Sequence, residues 1–540
     1  MVEPSSWLSE QRMRGIERTA LPANVWHLLR RNALERPEVA WLDFFEDADV
    51  LTYGDAADAI ARTAAALAGL GIGRGSHVAV MVHTSRHYPL TWLALAALGA
   101  VTVPVNYGYT PRELAYMLDD SQAEAIVIAA DLVPVLEAIE GPPRLGRDRV
   151  VVVGADLAGY PHRLERLTAE ARADERLLGT FELDQPMNIQ YTSGTTGMPK
   201  GAVQTHRYWL TFGRVGAAQF QDRLRRMLIA QPFYYVDAQW LALVAAWQGA
   251  TAFVARRMQA SRFLEWMRTH RIEYCNFPEV VSRQPPRADD HMDHLVVMSC
   301  YSHRPENYRV YESRYGGLAR QGFSMTEVGC GLYVPMEADH MTGTGTVGIP
   351  VAFREAMVAD AEGRPVPDGE IGELCIRGAG IFAEYWRKPE ATRAAFHGDW
   401  FRTGDVARRD ADGWFWYLGR RKDMVRRAGE NVSAVEVEQV LRGVPEVLEA
   451  AVLPVPDETR GEEVKAYLRL VPGASGDDAL LARVVAHCEA NLARFKIPRY
   501  LTWVEDFPRT PSLKIRKSDL IAAAPDLRVG SYDRVERRWR

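Results

Sequence analysis

The sequence predicts an α/β protein with a large N-terminal part and a smaller α+β C-terminal part. Three observations carry this prediction. Short apolar runs alternate with helical patterns from about residue 55 to residue 298; a glycine-rich, strand-patterned stretch follows to about residue 417; and an α+β texture returns after a dense basic segment near residue 420.

The first rhythm begins with a helix over 55–71, where Ala, Ile and Leu recur at helical spacing and glycines end the pattern. An apolar strand over 78–82, a helix over 88–98 and a strand over 100–104 follow, then strands over 126–129 and 150–153. Such β-α-β repetition predicts a parallel sheet with helices on its faces. Strands over 228–230, 251–254, 273–276 and 295–298 repeat the rhythm and predict a second α/β sheet. Runs over 372–378 and 413–417 mark a β-rich subdomain. Beyond residue 420 we expect a helix over 434–441, strands over 447–454 and 465–470, and a helix over 477–492. The arginine-rich end, Arg534 to Arg540, reads as a solvated tail.

Composition narrows the function classes. The chain has 540 residues, 47% hydrophobic and 25% charged, enough apolar material for large cores and too much for disorder. Its 65 basic and 70 acidic residues leave a net charge of −5, which argues against a nucleic-acid binder. The most apolar run, 89–105, falls short of a membrane span and is interrupted by Gly99 and Pro104. The N-terminal stretch lacks the apolar core of a signal peptide, so a cytoplasmic location is expected. Five scattered cysteines fit neither a disulfide framework nor a metal knuckle, and His291 and His294 read as part of a polar loop.

Gly343-Thr-Gly345-Thr-Val-Gly348 matches a dinucleotide fingerprint by its letters, but Ile349-Pro350 follows where a helix should open. Tyr191-Thr-Ser-Gly-Thr-Thr-Gly-Met-Pro-Lys-Gly-Ala-Val203 is more informative. It packs Ser193, Thr195, Thr196, three glycines and Lys200 closely together. Glycines let backbone N–H groups approach an anion, hydroxyls add donors, and lysine adds a positive charge. This is a phosphate-gripping loop, distinct from a Walker A loop in spacing.

On that loop, and on five further motifs in order, the chain resembles the adenylate-forming superfamily of acyl-CoA synthetases, adenylation domains and firefly-type luciferases. The further motifs are Phe323-Ser-Met-Thr-Glu327, Gly372 to Gly378 with Lys388-Pro-Glu-Ala-Thr392, Thr403-Gly-Asp405, Gly419-Arg-Arg-Lys-Asp423 and Pro508-Arg-Thr-Pro-Ser-Leu-Lys514. Arg426 to Ser433, Val435-Glu-Val-Glu438 and Val236-Asp-Ala-Gln239 are similar to crotonobetaine/carnitine–CoA ligase-like members. The resemblance implies an N-terminal adenylation domain (1–418), a hinge (419–423, with Lys422) and a mobile C-terminal lid (424–540). It implies ATP, Mg²⁺ and coenzyme A as cofactors and a small-molecule carboxylic acid as substrate, with no nucleic-acid partner. A homodimer is left open.

The same resemblance implies two half-reactions: a carboxylate attacks the ATP α-phosphate, then a thiol displaces AMP. Thr192, Ser193, Gly194, Thr195, Thr196 and Lys200 would hold the β- and γ-phosphates. Glu327 would bind Mg²⁺ and Thr326 would face the α-phosphate. Phe323 would stack on adenine, with Ser324, Met325, Tyr301 and Ser302 also lining the nucleotide site. Asp405 would accept the ribose hydroxyls beside Arg420. Lys514 would bridge carboxylate and α-phosphate, and Arg427, Gly429 and Glu430 would line the CoA tunnel.

Departures from the family pattern cluster around the acyl pocket. The adenine-side loop reads Ser299-Cys-Tyr-Ser-His-Arg304, Tyr235 stands where histidine is common, and Asn276-Phe-Pro-Glu279 places a carboxylate near the expected acyl tunnel; separately, at the adenylation lysine, Leu513 stands where glycine usually precedes it. We expect the pocket to be formed by Tyr234, Tyr235, Asp237, Gln239, Asn276, Glu279, Cys300 and Tyr301. Three readings remain open: an aromatic-walled pocket for a bulky, rigid or aromatic acid, a cage for a cationic, carnitine-like acid, and side chains that face structural water or the core; a fatty acid is a further alternative substrate. The acceptor is expected to be CoA. A carrier-protein pantetheine, O₂ or a non-catalytic nucleotide sensor are the alternatives.

Overall fold

The computed structural model describes residues 10–142, 144–179, 181–192, 199–301, 303–420, 424–427, 430–492, 494–509 and 514–540. The chain forms two compact units: Met1–Ala356 with Ile376–Phe401, and Met357–Cys375 with Arg402–Arg540. The segments 357–375 and 402–420 therefore group with the second unit. Both segments contribute to one sheet, in which Glu355–Ala359, Ile371–Arg377 and Trp400–Arg409 are successive neighbours and Phe415–Arg420 pairs with Trp400–Arg409.

The first unit contains the two predicted α/β sheets, each of seven strands. One runs in the order His162–Arg163, Val150–Val153, Ala125–Ala129, His77–Met81, Val101–Pro104, Pro186–Thr192, Lys200–Thr205. It is parallel except for its last pair. The other places Leu318–Arg320, Val297–Ser299, Tyr274–Asn276, Arg226–Ile229, Thr251–Val254 and Ala40–Phe44 in parallel and ends on antiparallel Asp49–Thr52. The strands read from the sequence lie within two residues of these bounds. They were legible because a parallel strand covered on both faces is apolar throughout, and every residue of Ala125–Ala129 and Val150–Val153 is buried.

Helices His87–Leu98 and Val236–Gln248 are apolar on nearly all sides and accordingly buried. They share one core with helix His206–Gln219, where Trp92 meets Trp209 edge-to-face at 5.2 Å. A buried polar chain threads this core. Trp92 Nε1 donates to Asn188 Oδ1 at 2.9 Å, and Asn188 Nδ2 donates to Gln239 Oε1 at 3.1 Å. A small antiparallel sheet, Gly322–Met325, Gly329–Tyr333 and Ile349–Pro350, completes the unit.

In the second unit, strand Gly461–Leu470 lies at the centre of a seven-stranded sheet, with Val447–Asp457 and Tyr500–Val504 beside it. Helices Ala434–Leu441 and Asp478–Asn491 cover it, close to where the sequence places them. The C-terminal end is exposed over 535–540, as expected of a solvated tail, but it is held by strand pairing and an ion pair. Strand Arg538–Trp539 pairs with Tyr532–Asp533, and Arg540 forms an ion pair at 2.9 Å with the fully buried Asp533. Arg499 meets the same carboxylate at 3.3 Å, so the carboxylate's burial is compensated by two guanidinium groups.

Candidate active site

The phosphate-loop motif spans a β-hairpin. Its arms, Pro186–Thr192 and Lys200–Thr205, pair antiparallel with Thr192 opposite Lys200. The tip, with Ser193, Gly194, Thr195 and Thr196, lies outside the described residues. Both arms are anchored to helix Pro111–Ser121. Tyr191 Oη donates to Asp120 Oδ2 at 2.7 Å, and Tyr116 Oη donates to the Pro199 carbonyl at 2.6 Å. Gly201 is required where it stands, because a Cβ there would collide with Ile189.

The second motif sits on another hairpin. Phe323, Ser324 and Met325 belong to strand Gly322–Met325, and Gly329, at φ +69°, opens the return strand. Thr326 and Glu327 occupy the turn between them. Their backbone is clamped from four sides. Gln204 Nε2 and Tyr208 Oη donate to the Thr326 carbonyl at 2.9 and 3.0 Å. The Phe382 N–H donates to the Glu327 carbonyl at 2.7 Å. Arg354 donates Nη2 to the Val328 carbonyl at 2.8 Å and also reaches the carbonyls of Phe353, Ala379 and Gly380. Burial pushes the Arg354 guanidinium down to about 10. Phe323 is only 8% exposed, so its ring is largely turned inward, whereas Ser324 is exposed.

These two hairpins meet through Tyr385. The segment around Tyr385 runs along Lys200–Thr205 like an added strand, with Tyr385 opposite Ala202. Tyr385 Oη donates to Glu327 Oε1 at 2.8 Å, and the Lys200 ammonium lies 5.0 Å from the centroid of the Tyr385 ring. Sequence reasoning missed Tyr385, Asp120, Gln204, Tyr208 and Arg354. The only local hint was the Lys388-Pro-Glu-Ala-Thr392 motif just after Tyr385. Among the described residues, no group of three or more His, Cys, Asp or Glu side chains could cage a metal. One buried, hard carboxylate oxygen donor at Glu327 suits Mg²⁺, which keeps waters and bridges phosphates rather than seeking a full protein shell.

The expected acyl-pocket residues divide into two sets. Gln239 and Cys300 are fully buried. Gln239 Nε2 donates to the Phe233 carbonyl at 2.8 Å, and the Cys300 thiol packs with Met298, Phe277 and Tyr311. Asn276 turns its Oδ1 to the Tyr274 hydroxyl at 2.7 Å. Tyr234 and Tyr235 join an aromatic cluster instead. Tyr234 meets Tyr107 edge-to-face at 5.2 Å and Tyr235 at 4.5 Å. Burial pushes the Tyr109 hydroxyl up to about 12, with Glu113 and Tyr235 adding to the effect. Asp237 is exposed in the first turn of its helix, where a carboxylate is favoured. Its charge acts on the half-buried Tyr301 and on Tyr208. Glu279 begins helix Glu279–Ser282, with Arg283 at 3.9 Å. Ser302 lies outside the described residues.

In the second unit, Asp405 and Arg420 are cross-strand partners, with Arg420 Nε 2.9 Å from Asp405 Oδ1. Asp405 is 1% exposed, and its N–H donates to Thr403 Oγ1 at 3.1 Å. The motif is fixed further by Thr403 Oγ1 donating to the Leu374 carbonyl at 2.7 Å. Arg427 is committed to the fully buried Glu463 through bonds of 2.6 and 3.2 Å, which ties up the guanidinium expected at CoA. Arg427 pairs with Glu430 across a hairpin end. Lys422 and Gly429 lie outside the described residues. Lys514 is exposed, next to Ile515, which forms an isolated bridge with Arg509. Arg509 meets Glu449 at 2.7 Å.

Two family profiles match the chain: "AMP-binding enzyme" over residues 29–386 and "AMP-binding enzyme C-terminal domain" over residues 436–514. A crotonobetaine/carnitine–CoA ligase from Salmonella arizonae is 32% identical over 480 residues, covering 85% of this chain and 91% of that protein. The structure of ATP-bound MatB from Rhodopseudomonas palustris superposes with a TM-score of 0.84 at 26% identity, covering 93% of this chain and 99% of that one. A Mycobacterium tuberculosis fatty acyl CoA synthetase gives a TM-score of 0.70 at 28% identity, covering 93% and 98%. The phosphate-loop hairpin, the clamped Thr326-Glu327 turn and these matches over nearly the full length agree: the chain belongs to the AMP-binding enzyme family and is an AMP-forming acyl-CoA ligase.

Proposed function

We propose that the enzyme activates a bulky, rigid or aromatic carboxylic acid as its acyl-adenylate, releasing pyrophosphate, and then passes the acyl group to the thiol of coenzyme A. The observation that carries the substrate class is the cluster of Tyr107, Tyr109, Tyr234 and Tyr235. Tyr234 packs edge-to-face on Tyr107 and tilted on Tyr235, an aromatic surface that would suit a flat or bulky acyl group. With Gln239 and Cys300 fully buried, this surface is mainly aromatic.

In the first half-reaction two anions, carboxylate and triphosphate, must come together, so fixed cations and donors have to offset their repulsion. Lys200 and the loop it ends supply these for the β- and γ-phosphates, and Lys514 supplies an ammonium for the attack on the α-phosphate. The buried Asp405 accepts the ribose hydroxyls, with Arg420 holding it in position. Glu327 would hold Mg²⁺, which would supply charge neutralisation on the phosphates. CoA delivers the attacking thiol. The protein's own cysteines are all buried, and burial pushes the Cys275 and Cys300 thiols up, so none competes as a nucleophile. ATP and CoA pools make a cytoplasmic location part of the proposal.

A second reading, a carnitine- or betaine-type acid, is favoured by the exposed Asp237 carboxylate near Tyr301 and by what the Salmonella relatives act on by name. Acid-dependent ATP–pyrophosphate exchange separates the two. Benzoate- and cinnamate-type acids should stimulate exchange more strongly than crotonobetaine or carnitine. The reverse order would overturn the aromatic reading in favour of the cationic one.

A further inference from the structure

We infer that Tyr385 is a positioning residue that keeps Glu327 and Lys200 apart and aimed, so that each remains available to the cation and to the triphosphate. The inference rests on the AMP-forming reading above. Three observations support it. Tyr385 is 8% exposed, and its hydroxyl donates to Glu327 Oε1 at 2.8 Å, which fixes one carboxylate oxygen and leaves the carboxylate acceptor-only. Its ring lies 5.0 Å from the Lys200 ammonium. Its backbone is locked beside the Lys200–Thr205 strand: the N–H groups of Ala383 and Trp386 donate to the Val203 and Gly201 carbonyls at 2.8 Å. The Tyr385 N–H is also held, donating to Thr392 Oγ1 at 3.0 Å.

A lysine and a glutamate held in one partly buried site attract strongly, and the simplest low-energy arrangement is a direct ion pair. That pair would spend on itself the two charges the reaction needs. Tyr385 offers each charge a partner of a different kind: a hydroxyl donor for the carboxylate and a π face for the ammonium. The Asp120 hub steadies the same segment, since Lys388 Nζ meets Asp120 Oδ1 at 2.5 Å and Trp386 Nε1 donates to the Asp120 carbonyl at 3.0 Å. Tyr385 thereby links the arm carrying the phosphate loop to the turn carrying Glu327, without touching substrate chemistry itself.

The test uses Tyr385→Phe, which removes the hydroxyl and keeps the ring, and Tyr385→Leu, which removes both. ATP affinity is measured by calorimetry in excess EDTA, and Mn²⁺ affinity of the protein–ATP complex by electron paramagnetic resonance. For Tyr385→Phe we expect metal-free ATP affinity within about twofold of wild type and Mn²⁺ affinity weaker by about tenfold, the scale of one lost hydrogen bond to a charged group. For Tyr385→Leu we expect metal-free ATP affinity to fall as well, by about threefold or more. Adding Tyr385→Phe to Glu327→Gln should cost no further Mn²⁺ affinity, a readout that a merely structural tyrosine would not satisfy. Wild-type Mn²⁺ affinity in Tyr385→Phe, or additive losses in the double variant, would overturn the inference. Failure of the wild-type protein itself to bind ATP would instead overturn the AMP-forming reading on which it rests.

Discussion

Replacing Arg320 with methionine should destabilise the first unit by about 3–5 kcal/mol. The guanidinium is fully buried and makes five hydrogen bonds. These run to Glu312 Oε1 at 2.8 Å, Thr342 Oγ1 at 2.8 Å, and the carbonyls of Ala319, Pro335 and Met336 at 3.0, 3.2 and 2.7 Å. Methionine fills similar volume but leaves the Glu312 carboxylate, 15% exposed, with only the half-exposed Arg309 at 3.0 Å as counter-charge, and removes a donor from three carbonyls, of which that of Pro335 still accepts from the Ala338 N–H. Breaking one side of a buried ion pair accounts for most of the loss. Urea unfolding followed by near-ultraviolet circular dichroism reads the effect. With m of about 1–3 kcal/mol/M, the midpoint should move down by about 1 M or more. Glu312→Gln in the same background should be markedly non-additive, by about 1–3 kcal/mol, because both changes break one interaction. A loss below about 1 kcal/mol, or strict additivity, would refute the reasoning.

His206 gives a pH prediction. Its ring is fully buried, stacks on Phe181 at 6.3 Å, and has neither nitrogen hydrogen-bonded among the described residues. Burial pushes it down to about 4. Between pH 6.5 and 4 the unfolded chain therefore binds a proton that the folded one refuses, so stability falls as pH drops through that window, by about 3 kcal/mol in all. His206→Phe should flatten this part of the stability–pH curve measured by urea titration, and an unchanged slope would contradict the assignment. Asp405→Ala should weaken ATP binding by about tenfold or more, since a buried acceptor for two hydroxyls is lost; unchanged affinity in calorimetry would sink the ribose role.

The sequence revealed the parallel sheets because strands such as Val150–Val153 are buried on both faces and therefore apolar without interruption. Motif chemistry was equally local: Thr403-Gly-Asp405 and Arg420 were recognisable separately, and only the register of two strands made them neighbours. Contacts between distant segments were not legible. Tyr385 reaches Glu327 across 58 residues of chain, and Tyr191 reaches Asp120 across 71. Linear position also did not show that Gln239 and Cys300 are fully buried. On buried elements, which side chains turn inward is decided by packing, and both of these face the core. The anchoring of the exposed C-terminal end was not legible for a related reason. Its arginines look solvated until their buried partner, Asp533, is brought alongside by strand pairing.

In the proposed mechanism of this AMP-forming ligase, Lys514 serves the first half-reaction. The most direct measurement follows both half-reactions in wild type and Lys514→Ala, with products separated by chromatography. Wild type should convert ATP, acid and CoA to AMP, pyrophosphate and acyl-CoA. Lys514→Ala should lose acid-dependent ATP–pyrophosphate exchange by about a hundredfold or more, while still forming acyl-CoA from a supplied acyl-adenylate. Formation of ADP and phosphate by wild type, or equal loss of both half-reactions in the variant, would contradict the account.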